Sequence, residues 1–119
     1  MSEWYALDEA HRLVPMADSH AYFTWLDAKR AAVGQELPVA TLQVRYDEVA
    51  GHTLSTVFLG LDHNYGDGSP LVFETMYFDG DDRLWRWHSW DEAVTGHERL
   101  AAELTAASTA DQSADRAGE

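Results

Sequence analysis

The stretch HTLSTVFLGL, residues 52–61, constrains this chain most. At the two-residue period of a strand both alternating sets are apolar, Leu54 and Phe58 on one, Val57, Leu59 and Leu61 on the other. Such a strand is expected at the centre of a sheet, with helices covering both faces. It also needs a neighbour on each edge, and the flanking segments supply them. PVATLQVRY (38–46) is rich in β-branched residues, and DEVAG (47–51) reads as the turn that follows it. LVFETMYF (71–78) sets Leu71, Phe73, Thr75 and Tyr77 against Val72, Glu74, Met76 and Phe78, so Glu74 is a carboxylate among apolar neighbours. DGDD (79–82) is a turn, and RLWRWH (83–88) a last strand with Trp85 and Trp87 on the same face.

Helical spacing brackets these strands. In ADSHAYFTWLDAKRAAVGQELP, Asp18 or Ser19 caps a helix whose apolar face carries Tyr22, Trp25, Leu26 and Val33, and Gly34 ends it. In SWDEAVTGHERLAAELTAA, Ser89 and Glu92 have capping-box spacing and Asp91 and Glu92 complement the helix dipole. Ala93, His97, Leu100 and Leu104 form its stripe, with His97 expected to be packed and hydrogen-bonded rather than a ligand. Gly96 lies beside them, where it permits close approach to a sheet. The opening EWYALDEAHRLVPM fits either a short helix or two short strands around Asp8–His11, ended by Pro15.

The fold class expected is therefore α+β: an antiparallel meander of about four strands with two helices packed on the sheet, preceded by a hairpin or short helix. Residues 1–107 are expected as one domain, and the polar STADQSADRAGE, 108–119, as a disordered tail.

Charge narrows the function classes. Twenty-one acids face eight bases, a net charge of −13. Such a surface repels phosphate backbones and disfavours direct nucleic-acid binding. The absence of cysteine excludes disulfides and thiolate metal sites. There is no membrane-length apolar run and no signal-peptide pattern at the start, so a cytoplasmic protein is expected.

One loop invites chemistry. LGLDHNYGDGSP (59–70) places Asp62, His63, Asn64 and Asp67 close together, with Glu74 on the following strand. As an EF-hand it fails: counting from Asp62, Asn64 falls third, but Gly66 falls fifth and Asp67 sixth. A transition-metal site would combine His63 with Asp62 and Glu74, yet adjacent strand residues point to opposite faces unless the loop bends. The simpler reading is a turn, with Asp62 and Asn64 accepting from nearby backbone N–H groups and Glu74 paired with Arg45 or Arg86. No cofactor is expected, and a divalent metal is the alternative.

STVFLGLDHNYGDGSPLVFETMYF (55–78), followed by SWDEAVTGHERL (89–100), resembles a family of small proteins encoded by actinobacterial phages and prophage-like regions. The shared pattern is LGLDH, a Gly/Pro loop, FETM, and an acidic helix ending in GH. This chain has Ser69–Pro70 where the pattern has two prolines. The resemblance implies phage origin, a bacterial host cytoplasm and a β-hairpin at the start; it carries no mechanism.

Size, charge and the missing catalytic set together lead to an expected non-enzymatic, host-directed protein that binds another protein of host or phage. The acidic turn Asp79, Asp81 and Asp82 would steer the partner, and Trp85 or Trp87 would anchor it. The alternatives are a small metal-dependent enzyme using Asp62, His63 and Glu74, and a minor virion or assembly component. A homodimer that covers a sheet edge is a further expectation.

Overall fold

The capping box at Ser89 forms as its spacing requires. In a computed structural model, which describes residues 3–33, 42–63 and 68–117 (from 109 onward as backbone only), the Glu92 N–H donates to Ser89 Oγ at 3.1 Å and the His88 N–H to Glu92 Oε1 at 2.9 Å. The helix that follows, α2, spans Trp90–Ala117 and buries Ala93, His97, Leu100 and Leu104. Its backbone continues through residues 108–117, where composition marks a polar tail; the frequent alanines there have the best helix propensity. The earlier helix, α1 (Ser19–Val33), is capped by Asp18, whose Oδ1 accepts the Ala21 N–H at 2.8 Å. It buries Tyr22 and Leu26.

The strands are β1 (Trp4–Leu7), β2 (Leu13–Met16), β3 (Leu42–Val49), β4 (His52–Phe58), β5 (Phe73–Phe78) and β6 (Arg83–Trp87). β1 and β2 form an antiparallel hairpin, and β3-β4-β5-β6 form an antiparallel meander in chain order. The architecture is α+β. Asp8 closes the hairpin: Oδ1 accepts the Ala10 and Arg12 N–H groups at 2.8 and 2.9 Å, and the Arg12 amide bond holds its carboxyl below the usual carboxylate range. The hairpin is sewn to the meander by Tyr5 N–H to Gly60 O and Asp62 N–H to Glu3 O, both 2.8 Å. His11 stacks on Trp90 at 3.7 Å, tying the hairpin turn to the start of α2.

Helices are expected on both faces of β4; among the described residues they cover only one. Leu54, Thr56 and Phe58 are buried, whereas Ser55 and Val57 are half-buried. α2 lies across all four strands of the meander. Tyr22 and Leu26 of α1 join Phe58, Phe73 and Ala93 in one cluster, so both helices gather on the same side. Leu59 and Leu61, which gave the second alternating set its apolar character, lie beyond the end of β4. There Leu59 N–H bonds Val72 O and Leu61 bridges Trp4.

The β3–β4 turn is also shorter than DEVAG. Pairing continues through Asp47↔Leu54, Glu48↔Thr53 and Val49↔His52, and the chain reverses at Ala50 and Gly51, both at positive φ. Two consecutive residues at positive φ are what the twist of a tight hairpin requires. Asp47 and Glu48 are thus strand residues on opposite faces. Gly34 and residues 38–41 of the expected first strand lie outside the described residues. No described helix is long and apolar enough to cross a membrane.

Candidate functional site

The described ends of the loop that drew attention in the sequence are tied to each other. Asp62 is buried, and its Oδ1 accepts the Leu71 N–H at 3.0 Å, while the His63 N–H donates to Leu71 O at 2.9 Å. A side-chain acceptor and a backbone pair thereby close the loop across its neck. Glu74 faces away: it pairs with Val57 and Arg86 in register, and its Oε2 lies 3.5 Å from Arg86 Nε. Among the described residues no three His, Asp or Glu side chains come together in a way that could hold a metal ion. Asn64 and Asp67 lie outside the described residues. Asp62→Ala is expected to cost about 2 kcal/mol by leaving the Leu71 N–H without its acceptor. Denaturant unfolding measures that loss, and Asp62→Asn, which keeps an acceptor oxygen, should recover most of it.

Trp85 and Trp87 share a face as expected, and that face looks inward. Trp85 packs against the cluster of Val49, Leu54, Tyr77, Leu100 and Leu104. Trp87 lies against Gly96 and donates its Nε1–H to Thr75 Oγ1 at 2.9 Å. Their surface is spent on α2, so neither stands out as a free anchor. The acidic turn is at the surface at Asp81 and Asp82. Asp79 is half-buried, with Arg83 Nη2 at 2.9 Å from its Oδ2. Burial opposes its ionisation, but the Arg83 bond and the Asp81 N–H together hold its carboxyl below the usual range.

Under α2 runs a chain of polar contacts in which His97 is packed and hydrogen-bonded as expected, with partners that the sequence did not announce. Trp87 reaches Thr75, whose Oγ1 lies 2.5 Å from Thr56 Oγ1; Thr56 lies 2.7 Å from His97 Nδ1, and His97 Nε2 lies 2.7 Å from Asp47 Oδ2. Acid, imidazole and hydroxyl stand in the order of a hydrolytic triad. However, Thr56 and Thr75 are 0% exposed and His97 is 1% exposed, so no substrate reaches the hydroxyls. The arrangement joins α2 to all four strands of the meander.

The outward face of the meander carries a different set of residues. By register, one row across it is Tyr46–Ser55–Met76–Leu84, and the row nearer the turns is Glu48–Thr53–Phe78. β4 contributes the small residues Thr53 and Ser55, flanked by larger ones on β3 and β5. No described element covers this face, and Tyr46, Phe78 and Leu84 are 55%, 45% and 43% exposed. The meander puts the β3–β4 and β5–β6 turns at one end, so Glu48 and the Asp79–Asp82 turn share it, and the Asp62 loop is at the other. The alternation in LVFETMYF carries the signal for this face: Glu74 marks the outward set, and Met76 and Phe78 go with it.

Compared with known protein families, curated proteins and solved structures, the chain matches none.

Proposed function

We propose that this chain is a non-enzymatic acidic protein that docks a basic protein, of host or phage, on the uncovered face of its meander. The observation that carries this reading is the exposure of three large apolar side chains, Tyr46, Phe78 and Leu84, on one continuous sheet face. Grouped apolar surface with a polar rim is characteristic of a protein contact. Charge complements it. At −13 the protein attracts basic partners from a distance, and Asp79, Asp81 and Asp82 bring that field to the end of the sheet. The anchoring role expected for Trp85 and Trp87 passes in this reading to Tyr46, Phe78 and Leu84, which have area to lose. Phage origin and a host-directed role in the bacterial cytoplasm rest on the resemblance over residues 55–100.

The test is differential capture. Wild-type protein and the Phe78→Asp/Leu84→Asp variant, matched for melting temperature, serve as bait in extracts of infected and uninfected actinobacterial cultures. A stoichiometric protein retained by the wild type should be lost with the variant, since each buried anchor contributes on the order of 2 kcal/mol. Equal retention by both baits, or none by either, overturns the proposal.

A further inference from the structure

The acids on and beside the meander differ in how they are partnered. Glu74 has Arg86, Asp79 has Arg83, and Glu98 on α2 has Arg45. Among the described residues Glu48 has no arginine or lysine in ion-pair contact; its nearest titratable cation is His52 at the start of β4, which acts on it only through its charge. Glu48 Oε1 accepts two hydroxyls instead, Tyr46 Oη at 2.6 Å and Thr53 Oγ1 at 3.0 Å. These two bonds occupy the acceptor sites of one oxygen and fix the orientation of the carboxylate, so that Oε2 keeps its lone pairs for a ligand. Tyr46 stands two residues away on the same face, and Phe78 is across Thr53 in register. The register thus sets Tyr46 beside Glu48 on β3 and Phe78 two strands away on β5, with the small side chain of Thr53 between Glu48 and Phe78.

Exposed aromatic rings beside an oriented anion form a surface complementary to an organic cation, which gains both from the charge and from the ring faces. A phosphate or a carboxylate would be repelled there. A second copy of this chain would bring a further −13 and a second Glu48 against the first. We infer that Glu48, between Tyr46 and Phe78, is the seat for an arginine or lysine side chain of the basic partner protein. This inference rests on the docking-face reading and adds to it the point at which the partner's charge is read. The Tyr46 and Thr53 hydroxyls, joined more weakly by the charge of His52 and opposed by burial, also hold the Glu48 carboxyl below the usual carboxylate range. The seat therefore stays anionic through mildly acid pH and is lost as pH falls through that lowered range.

The experiment is an NMR titration of the full chain, at about 0.15 M salt to screen distant charge, with a capped dodecapeptide alternating alanine and arginine. Shifts are expected at Tyr46, Glu48, Thr53 and Phe78. Glu48→Gln should weaken binding about tenfold, whereas Asp91→Asn, which removes the same charge from the exposed start of α2, should stay within about twofold. Tyr46→Phe keeps the ring and removes one hydroxyl from Glu48, so the pH at which binding is half lost should rise. Folding of each variant is checked by its melting temperature and by unchanged amide shifts in α2. If the shifts fall on Met76, Phe78 and Leu84 but Glu48→Gln binds like Asp91→Asn, the seat is overturned and the docking face stands. If they fall only on α2 and the Asp79–Asp82 turn, both readings are overturned.

Discussion

His97→Ala is expected to remove about 4 kcal/mol of stability, a large part of what a domain of this size possesses. The reason is how the polar chain under α2 is satisfied. Trp87 can only donate, so its Nε1–H takes one acceptor site on Thr75 Oγ1. Thr75 can then donate to Thr56, Thr56 to His97 Nδ1, and His97 Nε2–H to the Asp47 carboxylate. Every proton has an acceptor in that direction, which requires the Nε2–H tautomer of His97. Removing the imidazole leaves the Thr56 hydroxyl buried without its acceptor and opens a cavity at a position 1% exposed. Asp47, whose side chain is 57% exposed, is rehydrated instead, so Asp47→Asn should cost only about 1 kcal/mol. Thr56→Val should cost about 2 kcal/mol, and Thr56→Val with His97→Ala clearly less than the two singly, because both break the same link. Urea unfolding of the three variants and the double tests this, and nitrogen NMR of the ring reads the tautomer. Additive losses, or an Nδ1–H ring, would overturn the account.

The same chain shows what a single sequence can and cannot disclose. The helices were legible because their markers are local: Asp18 and Ser89 as caps, Glu92 three residues on, and Ala93, His97, Leu100 and Leu104 at helical spacing. The meander was legible because turns at Gly51 and Gly80 separate runs of strand period. Facing was less so. Val57, Met76 and Phe78 are as apolar as the residues that fill the core, and only Glu74 betrays which set points outward. Leu59 and Leu61 imitated a doubly covered strand because backbone leaving a sheet for a neighbouring hairpin can be apolar too. Asp47 and Glu48 were read as a turn because acids favour turns. They are strand residues instead, one holding His97 and the other standing on the open face. Neither role has a local signature, since each depends on residues from Thr53 to His97 that only the folded register brings near. Asp62 behaved as the simpler reading required, its acceptor oxygen closing the loop neck.

Gly60→Ala should be nearly as damaging, at about 3–4 kcal/mol, although it adds one methyl group. Gly60 has φ +78, where an L-residue incurs about 1–2 kcal/mol of strain. The methyl would also overlap Cε1, Cζ and Oη of Tyr22. That ring cannot give way. Tyr22 is 0% exposed, its hydroxyl donates to Leu59 O at 3.2 Å, and Trp4 and Phe23 surround it with ring centroids at 5.0 and 5.1 Å. Burial also pushes the phenol above its usual range, so ionisation offers no escape at neutral pH. Overpacking of this kind costs about a further 1–3 kcal/mol. Gly51 supplies the comparison: its φ is +83, but a methyl there meets nothing within 4 Å. Gly51→Ala should therefore report the backbone strain alone, and the excess at Gly60 the collision with Tyr22. Tyr22→Leu combined with Gly60→Ala should cost at least about 1 kcal/mol less than the two singly, because the smaller side chain makes room. Hydrogen exchange places the damage. The Tyr5 amide bonds Gly60 O, so in Gly60→Ala it should exchange early while amides of β4 and β5 remain protected. Equal costs at Gly51 and Gly60 would mean that Tyr22 does not press on this backbone, and the seam between hairpin and meander would then need another explanation.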